Sequence, residues 1–187
     1  FVERIDIKGN NQTLDRVIRR EFSISEGDPF NPILIRKTEE KLKALGYFEE
    51  LRLSVLPGSS SEKAIIIVEV EEASTGSLNF GAGYSTDTEV SGTISLSERN
   101  FLGKGQRLLF EVLTSASNKR VKFGFTEPAF LDRDLSASID FTYLDLEPRQ
   151  SSYTANEISV KTGFGFSLGP DSRLITSLKL SEEKIVV

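Results

Sequence analysis

From residue 78 onward the chain repeats one pattern seven times: apolar side chains at every second position, with polar residues or glycine between them. Leu78, Phe80, Ala82 and Tyr84 alternate with Asn79, Gly81 and Gly83, and Val90, Ile94 and Leu96 with Ser91, Thr93 and Ser95. Leu108, Phe110 and Val112 oppose Arg107 and Glu111, and Val121, Phe123 and Phe125 oppose Lys122, Gly124 and Thr126. Leu135, Ala137, Ile139, Phe141 and Tyr143 follow, then Ile158, Val160, Phe164 and Phe166, then Leu174, Leu178 and Leu180. A period of two belongs to strands with two unlike faces. Turn residues separate them at Ser85-Thr86-Asp87, Ser115–Asn118 and Gly169-Pro170-Asp171.

An apolar face on every strand needs a cover. In a soluble sandwich a second sheet provides it; in an outer-membrane barrel lipid provides it and the polar face lines the lumen. Alternation alone does not separate the two. The barrel is favoured by polar faces rich in Ser, Thr and Gly, and by aromatics at strand ends (Tyr84, Phe101, Phe130, Tyr143). Composition supports a boundary: residues 74–187 hold 27 Ser or Thr against 8 in residues 1–73. Two domains are expected, 1–73 and 74–187. Bacterial barrels close with an even number of strands from eight upward, and an open apolar sheet would leave two bare edges. About seven strands are therefore expected to be part of a longer protein, cut both upstream and downstream.

The first 73 residues mix helical and strand periods. Val2, Ile5 and Ile7 before Gly9-Asn10 read as a strand and turn. Thr13 stands where an N-cap belongs, ahead of Leu14, Val17, Ile18 and Phe22 at helical spacing. Asn31-Pro32 opens a second helix with Ile35, Thr38, Leu42 and Leu45 inside, and Gly46 stops it. Leu51, Leu53 and Val55 alternate as an edge strand, and the apolar run Ala64–Val70 reads as a central one. The order is β-α-α-β-β, a compact α+β module.

Little points to catalysis. The chain has no Cys, His, Met or Trp, which removes thiolate and imidazole ligands, Cys nucleophiles and His-based triads. Its 23 basic and 28 acidic side chains give a net charge of −5, against general nucleic-acid binding. Gly103-Lys104-Gly105 lacks the Ser or Thr of a phosphate loop. Glu127, Asp132 and Asp134 flank a turn at Pro128 and read as solvated charges, as does the helix face around Glu39-Glu40-Lys41. No catalytic, cofactor or metal site is assigned. No run of 18 apolar residues is present, so no membrane-spanning helix is expected.

Several segments taken in order are more specific. Gly9-Asn10, Arg19-Arg20-Glu21, Glu26-Gly27-Asp28, Leu45-Gly46-Tyr47-Phe48 and Pro57-Gly58-Ser59 resemble a POTRA domain. Val70-Glu71-Glu72 running into Ser74–Tyr84 resembles the passage from the last POTRA domain into the first barrel strand of the BamA family. Glu98–Gln106 and Phe125–Asp134 resemble barrel hairpins of that family. The resemblance covers about residues 1–145. It implies a POTRA domain followed by an antiparallel up-and-down transmembrane β-barrel segment, in the bacterial outer membrane with the POTRA domain in the periplasm.

The implied function is assembly and insertion of β-barrel proteins. Its implied partners are unfolded outer-membrane β-barrel clients, accessory lipoproteins and outer-membrane lipid. Leu78, Phe80, Gly81, Ala82, Gly83 and Tyr84 map to the lateral-seam strand, Leu51, Leu53 and Val55 to the POTRA edge strand, and Arg20 and Glu26 to an accessory-lipoprotein contact. Gly81 and Gly83 either weaken the seam strand so that it opens to a client or accommodate curvature. The family's Arg-Gly-Phe lumen signature and aromatic-ended last strand are missing, as truncation would explain. A two-partner secretion pore or related POTRA-barrel translocase, and a soluble β-sandwich binding protein, are the alternatives.

Overall fold

The computed structural model describes residues 1–86, 89–147, 154–169 and 172–186. Sequence readings at Asp87, Pro170, Asp171 and Val187 lie outside the described residues. The chain divides into two compact units, Phe1–Thr75 with the turn Leu102–Gly105, and Gly76–Phe101 with Gln106–Val187.

The first unit runs β1 (Val2–Lys8), α1 (Asp15–Arg19), α2 (Pro32–Leu45), β2 (Phe48–Pro57) and β3 (Ala64–Glu72). Its sheet has the order β1-β3-β2, β3 lying parallel to β1 and antiparallel to β2. The apolar run of β3 is central for a physical reason: Ile66, Val68 and Val70 are buried under Ile18, Ile35 and Leu42 of the helices. Thr38, buried in the second helix, spends its hydroxyl on the Leu34 carbonyl at 3.0 Å. Asn31 caps α2 by accepting the Ile33 N–H at 2.9 Å, and Gly46 ends it at φ 66.

The first helix departs from the sequence reading. It spans only Asp15–Arg19, and Leu14, not Thr13, is its cap residue, with no side-chain cap. Thr13 is buried and its groups turn to Glu72 instead. Phe22 falls beyond the helix but still packs against the core.

The second unit is one antiparallel meander of β4 (Gly76–Ser85), β5 (Glu89–Phe101), β6 (Gln106–Ser115), β7 (Asn118–Glu127), β8 (Leu135–Leu146), β9 (Thr154–Gly169) and β10 (Ser172–Val186). Each strand pairs with its sequence neighbours, leaving β4 and β10 as the two edges. A 3-10 turn at Phe130–Asp132, unexpected from sequence, joins β7 to β8, with Leu131 and Asp132 at positive φ. The sandwich alternative does not hold. The described strands of the second unit all belong to one continuous seven-stranded sheet, so this unit is not built from two facing sheets. Its apolar side chains stand exposed, Phe80 at 73% and Tyr84 at 76%.

Candidate functional site

Strand edges are the chemically available groups of this chain, because an edge presents unpaired N–H and C=O in a row. In the first unit β2 forms one edge. Leu51, Leu53 and Val55 oppose Val70, Val68 and Ile66, so all three point to the core side of the sheet. Leu51 and Leu53 pack against the core, whereas Val55 stays exposed. Among the described residues, no hydrogen bond reaches the outer edge of β2.

The β1 edge is different. Val2 donates to the Asp28 carbonyl and accepts the Gly27 N–H, both at 2.8 Å. Ile5 donates its N–H to Glu26 Oε1 at 3.0 Å and accepts from Arg19 Nη2 at 2.7 Å. Arg19 and Glu26 also pair with each other at 3.2 Å. The Ile5 N–H, with Arg19 behind it, holds the Glu26 carboxyl below its ordinary range. Arg20, offered with Glu26 as a lipoprotein contact, is not brought beside it. Arg20 pairs with Glu21 at 3.5 Å instead.

A second feature of the first unit had no sequence signal. Glu72, at the end of β3, receives the N–H groups of Gln12 (2.8 Å) and Thr13 (2.6 Å). Burial opposes ionisation of Glu72, but these bonds and the Thr13 hydroxyl outweigh it and lower its pKa. The loop so fixed receives the turn Leu102–Gly105: Leu14 N–H bonds the Gly103 carbonyl at 2.9 Å, and Tyr47 donates to the Gly105 carbonyl at 3.4 Å. Both glycines have φ near +70°. A side chain at Gly103 would start inside the contact radius of the Gln12 carbonyl oxygen, and one at Gly105 2.5 Å from Arg20. Gly103-Lys104-Gly105 is thus a close-approach turn, and Val17 and Tyr47 are buried outside the main core cluster beside it.

In the second unit Leu78, Phe80, Ala82 and Tyr84 of β4 share one face with Leu96, Ile94, Gly92 and Val90 of β5. Gly81 has ordinary φ, and a methyl there would stand 3.7 Å from Thr93 Cβ, an ordinary contact. Neither a turn nor a clash requires glycine at that position. Glu127 accepts from Gln106 Nε2 at 2.7 Å and from the Ala129 N–H at 3.0 Å, organising the β7–β8 turn.

The apolar face shows how the strands run. Following the register from Gly81 across the sheet leads to Thr93, Leu113, Arg120, Leu144, Glu157 and Glu183. The apolar stretch of β4 centres near Gly81, but that of β10 centres near Ser177, about six residues from Glu183. This is about 20 Å along the strand over six steps of about 4.8 Å, so the strands lean by about 35° against the apolar band. Transmembrane strands tilt by about 35–45°. At one margin of the band Lys119 pairs with Asp145 at 3.5 Å, where polar groups replace the apolar ones.

Comparison with known proteins agrees with this architecture. POTRA, described as a surface antigen variable number repeat, matches residues 1–73, and the Omp85 superfamily domain matches residues 100–187. The fold therefore joins a POTRA module to part of an Omp85-type domain. The outer membrane protein assembly factor BamA of Nitratidesulfovibrio vulgaris is 34% identical over 75% of this chain and 18% of its own length. BamA of Buchnera aphidicola is 31% identical over 89% of the chain and 27% of its own length. The crystal structure of BamA from Haemophilus ducreyi lacking POTRA domains 1–3 superposes with a TM-score of 0.82 at 24% identity, over 100% of this chain and 36% of that one. This chain belongs to the BamA family. It spans about a fifth to a quarter of the length of these curated relatives.

Proposed function

We propose that the protein to which this chain belongs assembles and inserts β-barrel proteins in the bacterial outer membrane, without covalent chemistry. The observation that carries this reading is the pair of strand edges, β2 in the first unit and β4 in the second, each ten residues long. An extended, unfolded client adds to such an edge by backbone hydrogen bonding, which is indifferent to client sequence. Each bond contributes about 0.5–1.5 kcal/mol net, so a handful gives reversible capture.

On this reading the POTRA module lies in the periplasm and the second unit contributes the first strands of a transmembrane barrel. The exposed apolar band meets lipid, and its lean of about 35° suits membrane-crossing strands. The β10 edge is exposed along its length. Accessory lipoproteins dock on the POTRA module, with Arg20 and Glu26 as candidate positions. Since Glu26 is engaged by Arg19 and the Ile5 N–H, a partner reaching it competes with those bonds.

β4 is the seam strand in this scheme. Gly81 and Gly83 weaken it by about 0.5–1 kcal/mol each relative to alanine. The test is depletion of the intact parent gene, scoring heat-modifiable porins in outer-membrane fractions. Joint loss of many unrelated folded porins supports general assembly. Persistence of the porins with loss of one exported protein would instead show a dedicated secretion pore.

A further inference from the structure

The two edges of the first unit's sheet are not equivalent. β2 is open, whereas the outward groups of β1 are already occupied at Val2 and Ile5. At Val2 the partners are backbone, from Gly27 and Asp28. Gly27, at φ 97, turns the segment there. At Ile5 the occupants are side chains: the Glu26 carboxylate takes the N–H and the Arg19 guanidinium caps the C=O. Together they offer one acceptor and one donor to a single residue, as a neighbouring strand would. Arg19 is steadied from behind by Asp15, whose carboxylate accepts from Nε at 3.2 Å.

We propose that the Arg19–Glu26 pair is an edge stop: it blocks β1 at Ile5 and so confines incoming client strands to β2. The occupant of the open edge is an extended, alternating segment of an unfolded barrel protein, so the inference rests on the edge-capture reading above. The two side chains are 42% and 48% exposed. An ion pair that exposed contributes little to stability, but it occupies two backbone groups that would otherwise form a template. A sheet open on both sides would bind clients in two registers and pair with other copies of itself. One blocked edge removes both outcomes.

The test uses the full 187-residue chain in detergent micelles. A photoreactive benzophenone side chain replaces either Arg4 or Arg52. These lie at the two edges on the same face of the sheet, opposite Ile65 and Glu69 of the central strand. The probe is a synthetic peptide with the sequence Thr154–Gly169, a barrel strand of this protein. In the otherwise unaltered chain, labelling is expected from position 52 and only at background from position 4. In the Arg19→Ala/Glu26→Ala chain, labelling from position 4 rises by about five-fold for each hydrogen bond the peptide gains at Ile5.

Equal labelling from both positions in the unaltered chain overturns the proposal. So does a double variant that still labels from position 52 but stays at background from position 4; that result leaves edge capture intact. No labelling from position 52 in the unaltered chain overturns edge capture itself, and the proposal with it. If the double variant alone loses labelling from position 52, the Ile5 amide decides in the unaltered chain. Slow hydrogen exchange supports the stop, and exchange as fast as an unbonded loop amide refutes it.

Discussion

Replacing Glu72 by glutamine tests whether one carboxylate organises the loop that receives the turn. Its two oxygens accept separately, Oε2 from Gln12 and Oε1 from Thr13. A glutamine keeps one acceptor and puts an NH2 where the other stood, so one backbone donor faces a donor. An unsatisfied donor costs about 1–3 kcal/mol. Hydrogen-exchange mass spectrometry on the segment Asn11–Leu14 reads this as local opening that is about 5 to 150 times faster at pH 7. The pH dependence gives a second check. The folded carboxyl ionises below the ordinary glutamate value, so its stabilisation is complete above that value and lost as pH falls through the lowered one. The difference between the unaltered chain and the Glu72→Gln variant should therefore shrink on acidification. Equal exchange at pH 7, or a difference that persists unchanged in acid, would refute this account of the loop.

Other expectations test different parts of the chain. Phe123→Arg, within the apolar band, should cost about 2–4 kcal/mol in lipid vesicles, while Thr114→Arg, opposite Lys119 at the band's margin, costs about 0–1 kcal/mol; folding yields measured side by side distinguish them. Gly81→Val/Gly83→Val should stiffen β4 by about 1 kcal/mol per position, slowing exchange of its amides and, in the full-length parent, client insertion. Unchanged exchange would leave these glycines to curvature alone. Asn31→Ala removes the acceptor for the Ile33 N–H and should lower stability by about 1 kcal/mol, read as earlier denaturant unfolding of the second helix.

Much of the fold was legible because its determinants are local. The second helix announced itself at both ends: Asn31-Pro32 satisfies and pre-sets the first turn, and Gly46 adopts the left-handed exit. The seven alternating strands were legible because a period of two fixes which side chains share a face, whatever the register. The first helix was misjudged at Thr13 because its competitor for that residue, Glu72, lies 59 positions away in sequence. No window of local propensity contains that partner. Of the candidate residues, Leu51, Leu53 and Val55 were placed on an edge strand by their alternation, but their inward orientation depends on the buried face of β3. Arg20 and Glu26 were named together only through the family resemblance; in the fold it is Arg19 whose guanidinium reaches Glu26, while Arg20 pairs with Glu21.

The sequence by itself determined the two periodicities, both ends of the second helix and the lack of imidazole and thiol side chains. These are properties of side-chain type and short-range geometry. Only the tertiary structure decided which strand edges are open. Ile5 becomes closed when Glu26 and Arg19, 21 and 14 residues away, fold onto its N–H and C=O. Gly103 is favoured locally by its φ of 69°, but the clash that makes any side chain impossible arises only when the Gln12 carbonyl comes to lie where that side chain would begin. Backbone groups look alike in every residue, so their availability is fixed by what the folded chain lays against them.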